Sequence, residues 1–160
     1  MLLAAAVTTF SLSSCNGDSV KIAKALEEKN YDYEGKQIEL IGEFDAPMFT
    51  FGGRNSKTLR MAFIVKSHAM SSEKHRIAHV VLPTGEGKNS VTLEMNEDEK
   101  NYTLKNFNIY DQSGEKYNLD THPEFKIKGT VHYSEMKRPE NERDNDNFAF
   151  EVTDVIITKK

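Results

Sequence analysis

The chain has 160 residues, enough for one domain with a real core and short for several. Net charge is -4, hydrophobic residues make up 38% and charged residues 29%, with one Cys and no Trp. That balance argues against a general grip on nucleic acid or anionic membranes, and a lone cysteine excludes an internal disulfide framework.

The first element is an uncharged, mostly apolar run from Leu2 to Leu12. At about eleven residues it is too short to cross a bilayer as a helix, which takes about twenty. Its length is that of a signal-peptide h-region, although no Lys or Arg precedes Lys21. The run ends Leu12-Ser13-Ser14-Cys15: an aliphatic residue, two small ones, then the sole cysteine. This resembles the lipobox of bacterial lipoproteins. The resemblance implies a signal peptide over residues 1–14, lipidation of Cys15 as the new N-terminus, and a membrane partner reached through that anchor. Two or more acyl chains hold a protein firmly where one does not. Asn16-Gly17-Asp18 is not an acid-rich surface-export tag, so the resemblance points to a periplasm-facing location in the cell envelope. A lipidated Cys15 leaves no thiol for disulfides, metal binding or nucleophilic catalysis. The plainer alternative is an apolar N-terminus that is frayed or buried as a short helix.

Residues 15–19 read as a tether. Asp18 or Ser19 then caps a helix running to about Lys29, with Val20, Ile22, Ala23 and Leu26 as its apolar stripe. Asn30 to Gly35 reads as a loop and turn. From there the period changes to two. Ile38, Leu40, Gly42 and Phe44 alternate with polar residues in a first strand. Leu59, Met61, Phe63 and Val65 mark a second, and Ile77 to Leu82 a third that is apolar on both faces except at His79. Val91, Leu93 and Met95 form a short fourth. Leu104 to Tyr110 and Glu115 to Leu119 flank a turn at Asp111-Gln112-Ser113-Gly114 and read as a hairpin. Phe125, Ile127, Gly129, Val131 and Tyr133 share one face of the next strand, opposite Lys126, Lys128, Thr130 and His132. Phe148 to Thr158 is the last. Regular short strands favour a barrel or sandwich over an α/β fold. Residues 20–160 read as a single domain. Gly42 and Gly129 stand inside strands, where glycine costs stability unless a bulge, a bend or a close backbone approach needs it.

YEGKQIELIGEF, and later FKIKGTVHYSE with FAFEVTDVIITKK, are similar to the first strand and the closing pair of an OB-fold barrel. More narrowly, they resemble the nucleic-acid-binding-like OB domains of small exported bacterial lipoproteins. The fold this implies is mainly β: an OB-like antiparallel barrel of five to eight strands with one N-terminal helix. The middle departs from the pattern, because a typical OB-fold has a helix between its third and fourth strands where this chain reads as a hairpin.

OB-folds bind across one barrel face, helped by the loops joining strands one and two and strands four and five. Carried onto this chain, the first loop is Asp45 to Lys57. It holds Phe49 and Phe51 beside Arg54 and Lys57, and Arg60 follows it. Aromatics interleaved with bases suit single-stranded nucleic acid, and aromatic platforms also suit sugars. Lys126, Lys128 and His132 add a polar strand face to this candidate site. The alternative places Phe49 and Phe51 over the barrel end as core, with the bases on a solvated face. The second loop, Ser134 to Asn147, is polar; its Asp144-Asn145-Asp146-Asn147 lacks the glycine and distal glutamate of an EF-hand. His75 and His79 share strand parity but lie about 13 Å apart at strand rise, too far for one metal. No motif for nucleophilic, metal-dependent or nucleotide-driven catalysis is present. The reading is a non-enzymatic, lipid-anchored binding module for an oligosaccharide, an oligonucleotide or another anionic ligand, with no cofactor and no metal. The alternatives are an assembly lipoprotein that docks another envelope protein, and a periplasmic metal chaperone.

Overall fold

A computed structural model of the chain describes residues 16–28, 30–46, 57–66, 73–95, 101–133 and 150–160. The N-terminal run, Cys15, Phe49, Phe51, Arg54 and the Asp144–Asn147 stretch lie outside the described residues. Helix α1 spans Asn16–Glu27, so residues 16–19, expected as a tether, form its first turn. Ile22, Ala23 and Leu26 bury the expected stripe. Ser19 does not act as the N-cap, because the helix begins before it. It is fully buried, and its Oγ accepts the Ile41 N–H at 3.1 Å. A short 3₁₀ turn, Tyr31–Tyr33, follows.

Among the described residues, eight strands then form two sheets. β1 (Gln37–Asp45), β2 (Thr58–Lys66), β3 (Lys74–Pro83), β7 (Glu124–Tyr133) and β8 (Phe150–Lys159) close a barrel in the order β1-β2-β3-β8-β7. β4 (Ser90–Leu93), β5 (Phe107–Tyr110) and β6 (Lys116–Asn118) make a separate three-stranded sheet. The barrel is OB-like. Its pairings are antiparallel except one: β3 and β8 meet in parallel, with Val80 opposite Val152. The all-antiparallel expectation fails at this seam because β8 must run antiparallel to β7 and still close against β3.

The alternation read from the sequence sets the inside. Leu40, Met61, Phe63, Val65, Val80, Leu82, Phe125, Ile127, Val131 and Val152 are all at most 1% exposed. Burying each such side chain contributes about 1.5–3 kcal/mol. Both mid-strand glycines sit where backbones crowd. β1 pairs with β7 over Gln37–Glu43 and with β2 only over Glu43–Asp45, so it changes partner near Gly42. A Cβ on Gly42 would lie 2.1 Å from the Ile64 carbonyl oxygen. Gly129 faces a register shift between β7 and β8, and a Cβ there would lie 2.7 Å from Val152 Cγ1. The extra residue is in β8, where Asp154 takes a left-handed conformation with φ 51.

The three-stranded sheet occupies the sequence position where a typical OB-fold has its helix. Val91, Phe107, Ile109 and Leu119 join the barrel core, and the Tyr117 ring stands edge-on to Phe125 at 5.6 Å. The expected hairpin is β5 and β6. Its turn is held by the Asp111 carboxylate, which accepts from Ser113 N–H, Ser113 Oγ and Glu115 N–H. Partial burial pushes the Asp111 carboxyl up, but these bonds outweigh it and hold the group below its ordinary value. Burial and the neighbouring Glu115 push the Tyr117 hydroxyl up to about 12.

Candidate functional site

The described residues bring part of the expected site together. Arg60 lies on the outer face of β2, three residues after Lys57, where the first long loop returns. Its Nε donates to Glu151 Oε1 at 2.7 Å. Glu151 stands at the start of β8, where the second long loop returns. One ion pair therefore reaches across β3 and joins the strand bases of the two loops that flank an OB-fold's binding face. His132 is opposite Glu151 in the β7–β8 register, and its Nδ1 lies 3.6 Å from Glu34 Oε1. The outer face thus carries a row in which carboxylates alternate with nitrogen-bearing side chains: Glu34, His132, Glu151, Arg60.

His79 belongs to this row, and a β-bulge puts it there. Between Met61↔Val80 and Phe63↔Ile77, β2 advances two residues while β3 advances three, which inverts the parity of β3. The expected shared parity of His75 and His79 is overturned by that extra residue. His75 lies on the Ile77 side and meets α1, its Nδ1 2.7 Å from Glu27 Oε2. His79 lies on the outer face. Desolvation lowers its pKa from the ordinary 6.5, with Glu151 pulling it up and Arg60 pushing it down. A neutral imidazole beside the Arg60–Glu151 pair can act as donor or acceptor without adding charge.

Lys126 and Lys128 lie on the same strand face as His132 but farther along it. Lys128 is four residues away, about 13 Å at strand rise. Both sit against β1, where Lys126 Nζ lies 3.6 Å from Glu39. They extend the outer surface of β7 without joining the Arg60 row. The expected basic face is interleaved with acids: Lys66 Nζ donates to Glu43 at 2.5 Å, and Arg60, Lys126 and His132 each face a carboxylate. Half-exposed pairs of this kind contribute about 1 kcal/mol or less to stability, so positioning is their larger effect.

The loop bases are also fixed. Arg76 Nη2 donates to the Ala46 carbonyl at 3.1 Å, and Glu27 Oε1 accepts the Arg76 N–H at 2.8 Å. The Lys57 carbonyl accepts the Thr84 N–H at 3.0 Å. Among the described residues, no group of three or more His, Cys, Asp or Glu side chains could hold a metal, and no helix is long and apolar enough to cross a membrane.

Glu151, Glu34 and His79 were not among the sequence candidates. Glu151 could have been found, because it alternates with inward Phe150 and Val152 and must point out. Its pairing with Arg60 depends on barrel closure, and His79 depends on a bulge that no residue type announces. Comparison with protein-family models, with curated proteins and with solved structures finds no match.

Proposed function

We propose that the protein is a non-enzymatic binding module of the cell envelope, held to a membrane by a lipid on Cys15, that takes an oligomeric ligand with anionic groups across the β2–β3–β8 face. The observation that carries this reading is the Arg60–Glu151 ion pair. It fixes a guanidinium between the bases of two long loops, on the face that OB-like barrels use for ligands. Among the described residues the pair engages Arg60 through Nε alone, which leaves its two terminal nitrogens to meet an anion in fork geometry. Lys57 adds a second cation at the same loop base. The anchor is inferred from the Leu12-Ser13-Ser14-Cys15 sequence, and α1, which starts at the next residue, would join it to the barrel without a flexible spacer.

The test is an anisotropy titration of a labelled oligothymidylate and a labelled heparin oligosaccharide at low salt. At least one should bind, weaken as salt rises, and lose about tenfold in affinity in Arg60→Ala. Failure of both polyanions to bind at low salt would sink the anionic-ligand reading. Radiolabelled palmitate in a bacterial host should enter the wild-type chain and not Cys15→Ser; equal labelling removes the anchor.

A further inference from the structure

Beside the Arg60 row lies a feature that the charged face does not use. Tyr31 and Tyr133 are 53% and 40% exposed, yet they are not isolated surface rings. Their centroids are 4.9 Å apart at an interplanar angle of 84°. Both rest on Phe150, at 5.6 and 5.7 Å, and Phe150 is buried. The three rings come from three distant segments: the 3₁₀ turn after α1, the end of β7 and the start of β8. Tyr133 and Phe150 are register partners at the two strand ends that carry the second long loop.

Core packing explains Phe150 and does not explain two tyrosines left so open. A ring pinned by neighbours loses little further freedom when a ligand covers it, which is the economy of a preorganised aromatic platform. The ligand chemistry follows from the rim. Tyr31 is followed by Asp32, and Glu34 closes the turn, its Oε2 accepting the Tyr133 N–H. These carboxylates repel a chain that brings a phosphate with every residue. They accept hydroxyl protons readily. The electron-rich face of a tyrosine attracts the C–H face of a flat saturated ring.

We propose that Tyr31 and Tyr133 form the aromatic corner of a sugar subsite, one ring stacking on the sugar and the other walling it, and that the ligand reaching it is an oligosaccharide rather than an oligonucleotide. The inference rests on the binding-module reading and holds whether or not the ligand also carries anionic groups. Glu34 is shared: its Oε2 accepts the Tyr133 N–H and its Oε1 lies 3.6 Å from His132 Nδ1, so a saccharide on the tyrosines abuts the Glu34 end of the charged row.

The experiment uses the full chain carrying Cys15→Ser, so that it stays unlipidated. Maltohexaose, cellohexaose, chitohexaose and a mannose hexamer are titrated by calorimetry and by tyrosine emission, which no Trp obscures. At least one hexasaccharide should bind and change tyrosine emission. Its affinity should fall about tenfold in Tyr31→Ala and in Tyr133→Ala, and stay within about threefold in Tyr133→Phe, which keeps the ring. Melting curves and Tyr133→Phe separate loss of the platform from loss of fold. No binding by any hexasaccharide, or binding untouched by both alanines, overturns the subsite. If the sugars fail while a polyanion binds through Arg60, the subsite falls and the anionic module stands. If a sugar binds through the tyrosines and no polyanion binds, the subsite stands and the anionic reading falls.

Discussion

The barrel and the sheet inserted into it solve the same problem in different ways. Both must satisfy backbone groups at strand ends and edges. The barrel does so by closure, which leaves no edge, and the cost is crowding where strands cross or shift register. Glycine relieves that crowding at Gly42 and Gly129. The inserted sheet has three short strands and stays open. Its ends are fastened by side chains instead. Asn106 Nδ2 donates to the Glu94 carbonyl at 2.8 Å while its Oδ1 accepts the Thr103 N–H at 2.7 Å. Asn118 Nδ2 donates to the Lys105 carbonyl and to Asn108 Oδ1, both at 2.9 Å. Closed sheets are therefore vulnerable to added atoms, and open ones to removed hydrogen bonds.

The largest expected effect breaks the closed side. Gly42→Ala puts a methyl group against the Ile64 carbonyl, which a rigid backbone crossing cannot move aside. It should cost about 3 kcal/mol or more, read as a fall in the urea midpoint. A midpoint shift below about 1 kcal/mol would mean that the β1–β2 crossing yields.

A smaller effect tests the open side. Asn106→Ala removes the bonds to Glu94 and Thr103 from a residue only 4% exposed. About 1–2 kcal/mol should be lost, with hydrogen exchange rising at Glu94 and Thr103 and not in β1 or β7. Uniform loss of protection across both sheets would show that they unfold as one unit.

The smallest effect is in pH, and it separates the two regions by window. His79, in the barrel, has a folded pKa below its unfolded 6.5, so the unfolded chain binds the proton first. Stability should decline as pH falls below about 6.5 and level off below the folded value. Asp111, in the inserted sheet, has a folded pKa below 3.8. Its contribution is full above that value and is lost as pH falls through the folded one. His79→Gln should flatten the melting temperature between about pH 5 and 7 and leave the more acidic limb in place. An unchanged slope over that range would remove His79 from the account.

Most of the barrel was legible because period-two alternation states which side of a strand is buried. The two glycines also marked the sites of crowding, since little else explains glycine inside a strand. The hairpin at Asp111 to Gly114 was readable from its turn residues. The start of α1 was missed: Asn16 to Ser19 looks like a polar spacer, and what Ser19 bonds to lies on β1. The parity of β3 was misread because one inserted residue flips every later side chain. The candidate site fared less evenly. Arg60 and His132 could be picked by type and position, but the carboxylates facing them come from strands that only closure makes neighbours. Tyr31 could not be placed, since a tyrosine in a turn carries no pattern.

The parallel seam between Val80 and Val152 also bears on how the chain reaches its fold. Every other strand pair can form between segments that follow one another or join through β1. This one cannot form until the inserted sheet and β7 have been traversed. Contacts between such distant residues slow folding, because loop closure precedes their reward. The hairpin at Asp111 is local and can form early, whereas barrel closure waits for β8 to dock. A chain cut short before β8 would expose one edge of β3 and one of β7, the two edges most able to recruit a strand from another molecule.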